Sequence, residues 1–420
     1  MSAHVLIAGA SLAGLRTAEA LRDAGFGGRI TLVGDEPHPP YDRPPLSKQV
    51  LSGWVGADQT ELPALRAVDA DWRLGAAAAD LDLAGRSVGL ADGARIAFDQ
   101  LVIATGARAR PWPVAAEAAL DGVFVLRTRG DAAALRARLA ARPGRVVVIG
   151  AGFTGCEVAS SCIDAGLPVT VVEATGAPLL RALGDTIGAF AADLQGAHGV
   201  DLRTGVAVAG FEDDGTGRLA VVVLGDGARV EATVAVVCLG AAPNVEWLAG
   251  SGLAAGPQGL LCDSACRALD TAGQPVAGVF GAGDVVRIEH PRFPGEPLRT
   301  EHWGAACEQA AVAGANILRA DPDLRRIDAL PAFWSMQFGA CLKLAGAPER
   351  ADATVLLQGS VESGRFVVGY GRGDRLVAVA TVNQAHWLSF YEAQIRAGAA
   401  FPPTYRRVDA PISPQKELAS

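Results

Sequence analysis

The stretch His4-Val5-Leu6-Ile7-Ala8-Gly9-Ala10-Ser11-Leu12-Ala13-Gly14 decides the fold. A short apolar run enters a glycine turn, and Leu15, Ala18, Leu21 and Arg22 then recur at helical spacing until Gly25 stops them, which reads as strand, tight turn and helix. A second apolar run, Ile30 to Val33, closes on Gly34-Asp35-Glu36, so Asp35 stands 21 residues beyond Gly14. That is where a dinucleotide-binding unit places a carboxylate for a ribose hydroxyl. The helix start behind the turn offers free backbone N–H groups and the positive end of the helix dipole to a pyrophosphate. Ser11 occupies the position where a middle glycine is usual, and a single pattern of this kind is weak. A second copy strengthens it. Val146 to Ile149 runs into Gly150-Ala151-Gly152-Phe153-Thr154-Gly155, a helix carries Glu157, Val158 and Ala159, and a strand from Val169 to Val172 ends at Glu173, 18 residues past Gly155. Two such units in one chain predict two bound nucleotides.

The chain of 420 residues is too long for one core and predicts two or three domains. A net charge of −8 argues against a general nucleic-acid binder. No apolar run reaches the about 18 residues that span a bilayer, and no basic segment precedes the first one, so Val5 to Ala10 reads as a strand and no membrane association is expected. Seven cysteines, an odd number scattered along the chain, fit free thiols in a reducing compartment, so a cytoplasmic location is expected. Six histidines lie dispersed without ligand spacing, and no metal site is expected.

Pro39-Pro40-Tyr41-Asp42-Arg43-Pro44-Pro45-Leu46-Ser47-Lys48 reads as a proline-stiffened loop that holds Arg43 and Lys48 in set positions. Strand patterns follow at 87–90 and 95–98, and Gln100 to Ala104 forms a buried strand closing on Thr105-Gly106. A helix is predicted from Asp131 to Ala141, started by Gly130-Asp131. The second unit continues through strands at 206–211, 219–224 and 234–239. The chain then returns to the first domain near residue 244, and a strand runs into Gly281-Ala282-Gly283-Asp284. Beyond Arg326, strand patterns at 342–344, 354–358, 366–370 and 376–381 and a helix over 385–397 read as a separate α+β domain.

Taken together, Tyr41 to Lys48, Ala104-Thr105-Gly106, Leu126-Arg127-Thr128, Gly150 to Glu157, Gly281 to Asp284, Glu301-His302-Trp303 and Phe333-Trp334-Ser335 resemble the FAD-dependent ferredoxin reductases that serve cytochrome P450 monooxygenases and Rieske-type oxygenases. The resemblance implies an α/β fold of two Rossmann-like dinucleotide-binding domains, glutathione-reductase-like in arrangement, plus the α+β C-terminal domain. Its boundaries would be 1–114 with 244–325 for FAD, 115–243 for NAD, and 326–420 covering the flavin. It implies an FAD site formed by Gly9, Ser11, Leu12, Ala13, Gly14, Asp35, Glu36, Arg43, Lys48, Ala78, Ala104, Thr105, Gly106, Arg127, Gly283, Asp284, His302 and Trp303. The NAD site would use Gly150, Gly152, Phe153, Thr154, Gly155, Glu157, Glu173 and Gly240.

The same resemblance implies electron flow from NADH through FAD to a [2Fe-2S] ferredoxin that feeds a P450 or Rieske oxygenase, in a monomer or weak dimer. Lys48, Glu157 and Trp334 are its implied catalytic residues. Lys48 and Glu157 would face one another across nicotinamide and flavin, and Trp334 would sit at the flavin edge towards the iron–sulfur partner. A lysine there can stabilise negative charge on the reduced ring. Glu173 argues for NADH, since a carboxylate repels a 2′-phosphate and Arg181 stands too far along to meet one. No cysteine precedes Cys156, so a dithiol relay beside the first turn is not expected, and Cys156 reads as a packing residue. Met336 and Phe338 stand where the family often has Asp and Tyr. Because ferredoxins are usually acidic, a basic docking patch containing Arg292 and Arg299 is expected. An NADH oxidase or quinone reductase, or a flavoprotein similar to apoptosis-inducing factor, would use the same fold and remains open on sequence alone.

Overall fold

The computed structural model describes residues 3–403, so residues 404–420 of the expected C-terminal domain lie outside the described residues. A parallel run of strands forms the centre of the first sheet, in the order Asp71–Leu74, Arg29–Gly34, His4–Ala8, Gln100–Ile103 and Pro275–Gly281. The last of these arrives late in the sequence and pairs Val279 with Leu101. Three antiparallel neighbours, Arg267–Leu269, Gly259–Cys262 and Ala255–Gly256, extend that edge. The helices Leu12–Asp23 and Trp303–Asn316 pack together, closely enough that a Cβ on Gly314 would meet Ala20 Cβ at 2.8 Å.

The second sheet is wholly parallel, in the order Asp201–Thr204, Val169–Glu173, Val146–Ile149, Val234–Val237 and Val123–Val125. Val-Val-Val-Ile at 146–149 is fully buried; β-branched residues suit a strand covered on both faces. A two-stranded link joins the two units, with Ala107–Ala109 antiparallel to Ala241–Pro243. Reciprocal bonds at the link, Thr105 Oγ1 to Asn244 O and Asn244 Nδ2 to Thr105 O, both at 2.8 Å, fix where the chain leaves and returns. The third unit is a five-stranded antiparallel sheet in the order Ala332–Gln337, Ala340–Gly346, Arg375–Val382, Arg365–Arg372 and Ala353–Ser360. A helix at Leu388–Arg396 packs on it. Phe366, Val368 and Tyr370 of this sheet share one buried cluster with Val146, Val148 and Ile187 of the second unit. Burial of each such side chain is worth about 1.5–3 kcal/mol.

Several elements differ from the sequence reading. Leu46–Val50 is a helical turn within the proline loop, and the helix expected from Asp131 starts at Arg129. Thr128 is its true cap: Thr128 Oγ1 accepts from Asp131 N at 3.1 Å while Asp131 Oδ2 accepts from Thr128 N at 2.8 Å, a reciprocal capping box. The strand expected at 206–211 runs Val208–Asp213. Helices at Leu180–Ala197 and Trp303–Asn316 and the strand Ala332–Gln337 were not read from the sequence.

Candidate active site

A cleft of about 630 Å³ opens along the C-terminal edge of the first sheet. Its floor is the first glycine turn. Gly9 has φ +126°, and a Cβ there would lie 2.0 Å from Ala104 O; a Cβ on Gly14 would lie 1.9 Å from Gly9 O. Only glycine permits both approaches. They seat the start of the helix Leu12–Asp23 against the cleft with no side-chain cap and no acidic residue in its first turn, leaving N–H donors for an anion.

The cleft brings together Gly9, Ser11, Leu12, Ala13, Asp35, Glu36, Arg43, Lys48, Ala78, Ala104, Thr105, Gly106, Gly283, Asp284, His302, Trp303 and Trp334 from the first and third units, with Arg127 from the second, just past the strand Val123–Val125. Phe153, Thr154 and Glu157 reach it from the second. Of the remaining expected residues, Gly14 packs beneath the turn, whereas Gly150, Gly152, Gly155, Glu173 and Gly240 lie outside the lining.

Polar groups of the cleft are pre-assembled. Glu36 accepts from Tyr41 Oη at 2.5 Å and pairs with Arg43 at 2.7 Å, and Arg43 also donates to the carbonyl of Arg127 at 2.8 Å. Arg127 in turn pairs with Asp284 at 2.6 Å. Trp303 Nε1 donates to Asp42 Oδ1 at 2.9 Å, which works against the upward push of burial on the Asp42 carboxyl. Burial drives His302 down to about 4, opposed by Asp284, so its imidazole is neutral near pH 7. Its Nδ1 is buried with no protein partner.

At the cleft's inner end, Glu157 is 7% exposed. Its Oε2 accepts from Lys48 Nζ and from Ser47 Oγ, each at 2.6 Å, and its Oε1 accepts from Ser335 Oγ at 2.7 Å. One carboxylate on the helix Phe153–Asp164 thus gathers donors from the proline loop and from the C-terminal sheet. The expected meeting of Lys48 with Glu157 is direct. Ser47 and Ser335 were missed, because their contacts span 110 and 178 residues and nothing local announces them. The rings of Phe153 and Phe333 lie 4.1 Å apart beside this cluster. Trp334 is 40% exposed at the cleft and Met336 is 42% exposed on the same side of its strand.

The second glycine turn repeats the first: Gly150 has φ +95°, and a Cβ on Gly155 would lie 1.9 Å from Gly150 O. Glu173 Oε2 accepts from Ala151 N at 2.7 Å, and Oε1 accepts from Thr175 N at 2.8 Å and Thr175 Oγ1 at 2.7 Å. Burial opposes ionisation of Glu173, but these donors outweigh it and hold the carboxyl below its usual range. Arg181 adds to that effect. Leu179 N donates to Ala151 O at 2.9 Å, which brings the following turn of chain, Arg181 included, back to this glycine turn. The sequence reading of Arg181 as remote is therefore corrected.

The expectation that Arg292 and Arg299 serve as free cations of a basic patch is corrected too. Arg292 pairs with Asp328 at 2.5 Å and Arg299 with Glu301 at 2.6 Å, and both arginines are largely covered. All seven cysteines are free and none lines the cleft; burial pushes Cys162 and Cys238 up to about 12 and Cys156 higher still. Among the described residues, no His, Cys, Asp and Glu group is disposed to hold a metal ion, and no helix is long and apolar enough to cross a membrane.

Two glycine-turned cradles converging on a cleft with a lysine–carboxylate pair at the junction define an oxidoreductase that works with two dinucleotides. Residues 3–310 match the pyridine nucleotide-disulphide oxidoreductase family, to which the chain belongs, and residues 332–412 match a reductase C-terminal domain. The ferredoxin reductase component of chlorobenzene dioxygenase from Cupriavidus sp. (strain PS12) is 36% identical over 96% of this chain and 95% of its own length. Rhodocoxin reductase from Rhodococcus erythropolis is 37% identical over 90% and 86%. The reductase in the covalent putidaredoxin reductase–putidaredoxin complex superposes with a TM-score of 0.87 at 33% identity, covering 94% of each chain. The family works with FAD and NAD(H). The residues present fit FAD: an uncapped helix start on the floor, a cleft of dinucleotide size, and the orphaned His302 Nδ1 in its lining.

Proposed function

We propose that the chain is the NADH-dependent reductase of an oxygenase system, passing electrons through FAD to a [2Fe-2S] ferredoxin that feeds a cytochrome P450 or a Rieske oxygenase. When bound, FAD would accept a hydride equivalent from NADH and release its electrons singly. Residues 1–114 and 244–325 would hold FAD, 115–243 NAD, and 326–420 would cover the flavin. Gly9, Ser11, Leu12, Ala13 and Gly14 would bind the pyrophosphate through backbone N–H groups. Asp35 and Glu36 would serve the adenosine ribose, and Arg43, Ala78, Ala104, Thr105, Gly106, Arg127, Gly283, Asp284, His302 and Trp303 the rest of the molecule.

Gly150 to Gly155 with Glu173 and Gly240 would hold NADH, and the ionised Glu173 would disfavour a 2′-phosphate. Lys48 would balance negative charge at the ring while Glu157 orients the nicotinamide. Trp334, exposed on the C-terminal sheet, would face the ferredoxin. Free thiols throughout suit a cytoplasmic setting.

The observation that carries this reading is the Lys48–Glu157 pair at 2.6 Å, which joins the first unit's cleft to the helix behind the second glycine turn. The test is NADH-driven cytochrome c reduction with and without an added [2Fe-2S] ferredoxin. A large ferredoxin-dependent increase supports the reading; a rate that oxygen alone accounts for favours an oxidase.

A further inference from the structure

The helix Phe153–Asp164 turns three polar side chains, Glu157, Ser160 and Ser161, to one face, the i, i+3, i+4 pattern of neighbours on a helix surface. All three are bonded to other units. Glu157 reaches the strand Ala332–Gln337 through Ser335 Oγ at 2.7 Å, and Ser160 reaches the turn just after it through Phe338 N at 2.7 Å. Glu157 and Ser161 reach the proline loop, through Lys48 Nζ, Ser47 Oγ and the carbonyl of Ser47, the last at 2.8 Å. Ser335 is 0% exposed, and Gln337 Nε2 donates to its Oγ at 3.2 Å. The amide of Gln337 occupies the serine's acceptor side, so the single hydroxyl proton is committed to Glu157. Alternation along the strand then puts Trp334 towards the cleft opening and Ser335 towards Glu157.

We propose that Ser335, oriented by Gln337, is a positioning residue that fixes the Glu157 carboxylate for the nicotinamide and ties it to the strand carrying Trp334. Lys48 and Ser47 share one oxygen of Glu157, so Ser335 is the side-chain donor that holds the other. Without it the carboxylate can swing about its last torsion while keeping its bond to Lys48. Charge-assisted hydrogen bonds of this kind are short and directional, which is what holds a carboxylate in one rotamer. The serine serves orientation; the ion pair to Lys48 stays intact.

This proposal rests on the reading of Glu157 as a nicotinamide contact, and the tests separate the two. In the purified holoprotein, Ser335→Ala is expected to lower the rate of flavin reduction by NADH about tenfold while FAD content holds. Ser335→Thr, which keeps the hydroxyl, is expected to restore it to within about twofold. In a Glu157→Gln background, Ser335→Ala is expected to add little, because the two act as one unit. The second readout needs no turnover: hydrogen exchange of backbone amides 333–337 is expected to slow on addition of NAD⁺ in the parent and to respond far less in Ser335→Ala. Should Ser335→Ala not retain flavin, Ser335→Cys, a weaker donor of similar volume, carries the same measurements. A parental rate in Ser335→Ala, additive losses in the double variant, or an unchanged exchange response would overturn the proposal. A parent protein that NADH does not reduce would instead overturn the functional reading beneath it.

Discussion

Replacing Lys48 by Met keeps the aliphatic stem and removes the charge. In the structure Lys48 Nζ lies 2.6 Å from Glu157 Oε2, with the two side chains 18% and 8% exposed. Breaking so covered a pair by removing one partner costs about 3–5 kcal/mol where nothing compensates. Here the hydroxyls of Ser47 and Ser335 remain on the carboxylate, and each hydrogen bond to a charged group is worth about 1.5–3 kcal/mol, so the protein should fold and keep its flavin. Catalysis has no such reserve. Removing one preorganised donor where charge develops lowers rates by about 10²–10³, so Lys48→Met is expected to slow flavin reduction by NADH about a hundredfold. Anaerobic stopped-flow at the flavin band, with FAD content measured on the same sample, is the assay. A variant that holds a full complement of FAD and reduces it within twofold of the parent rate would refute the reasoning.

Glu173→Ala is expected to raise NADPH relative to NADH in kcat/KM by at least about tenfold, or about 1.4 kcal/mol, since it removes the repulsive carboxylate and leaves Arg181 beside the turn; an unchanged ratio would show that Glu173 does not discriminate. Gly14→Ala places a methyl 1.9 Å from Gly9 O and is expected to yield protein purified without FAD, checked by its visible spectrum. His302 is held down to about 4 by burial. The unfolded chain therefore binds the proton first as pH falls, and stability is lost from about pH 6.5 towards 4, by up to about 3 kcal/mol. His302→Gln should flatten that limb in urea titrations of the apoprotein between pH 7 and 4.5, and an equally steep limb in the variant would count against it.

The fold was legible wherever local chemistry carries it. Both glycine turns, their strands and the carboxylates at 35 and 173 follow from spacing alone, because a dinucleotide turn restricts residue type at fixed offsets. The helix Trp303–Asn316 escaped because its alanine-rich sequence is buried on most faces over its C-terminal half, and so lacks an amphipathic stripe. The helix Leu180–Ala197 is interrupted by Gly184 at φ +74°, which blurs its period. In the site, the resemblance supplied Lys48 and Glu157. The serines that complete the cluster were invisible, since a serine in a strand looks the same whether or not a carboxylate 178 residues away accepts its proton. Arg292 and Arg299 misled for the converse reason. An arginine in a loop reads as a free cation, yet Asp328 and Glu301 already hold these two.

The most direct measurement is an anaerobic titration of the purified protein with NADH, followed by addition of oxidised [2Fe-2S] ferredoxin, recorded by absorbance. A yellow protein that bleaches with about one equivalent of NADH and regains its colour as the ferredoxin is reduced is the predicted result. Protein that stays colourless after incubation with FAD, or that bleaches but leaves the ferredoxin oxidised, would contradict it.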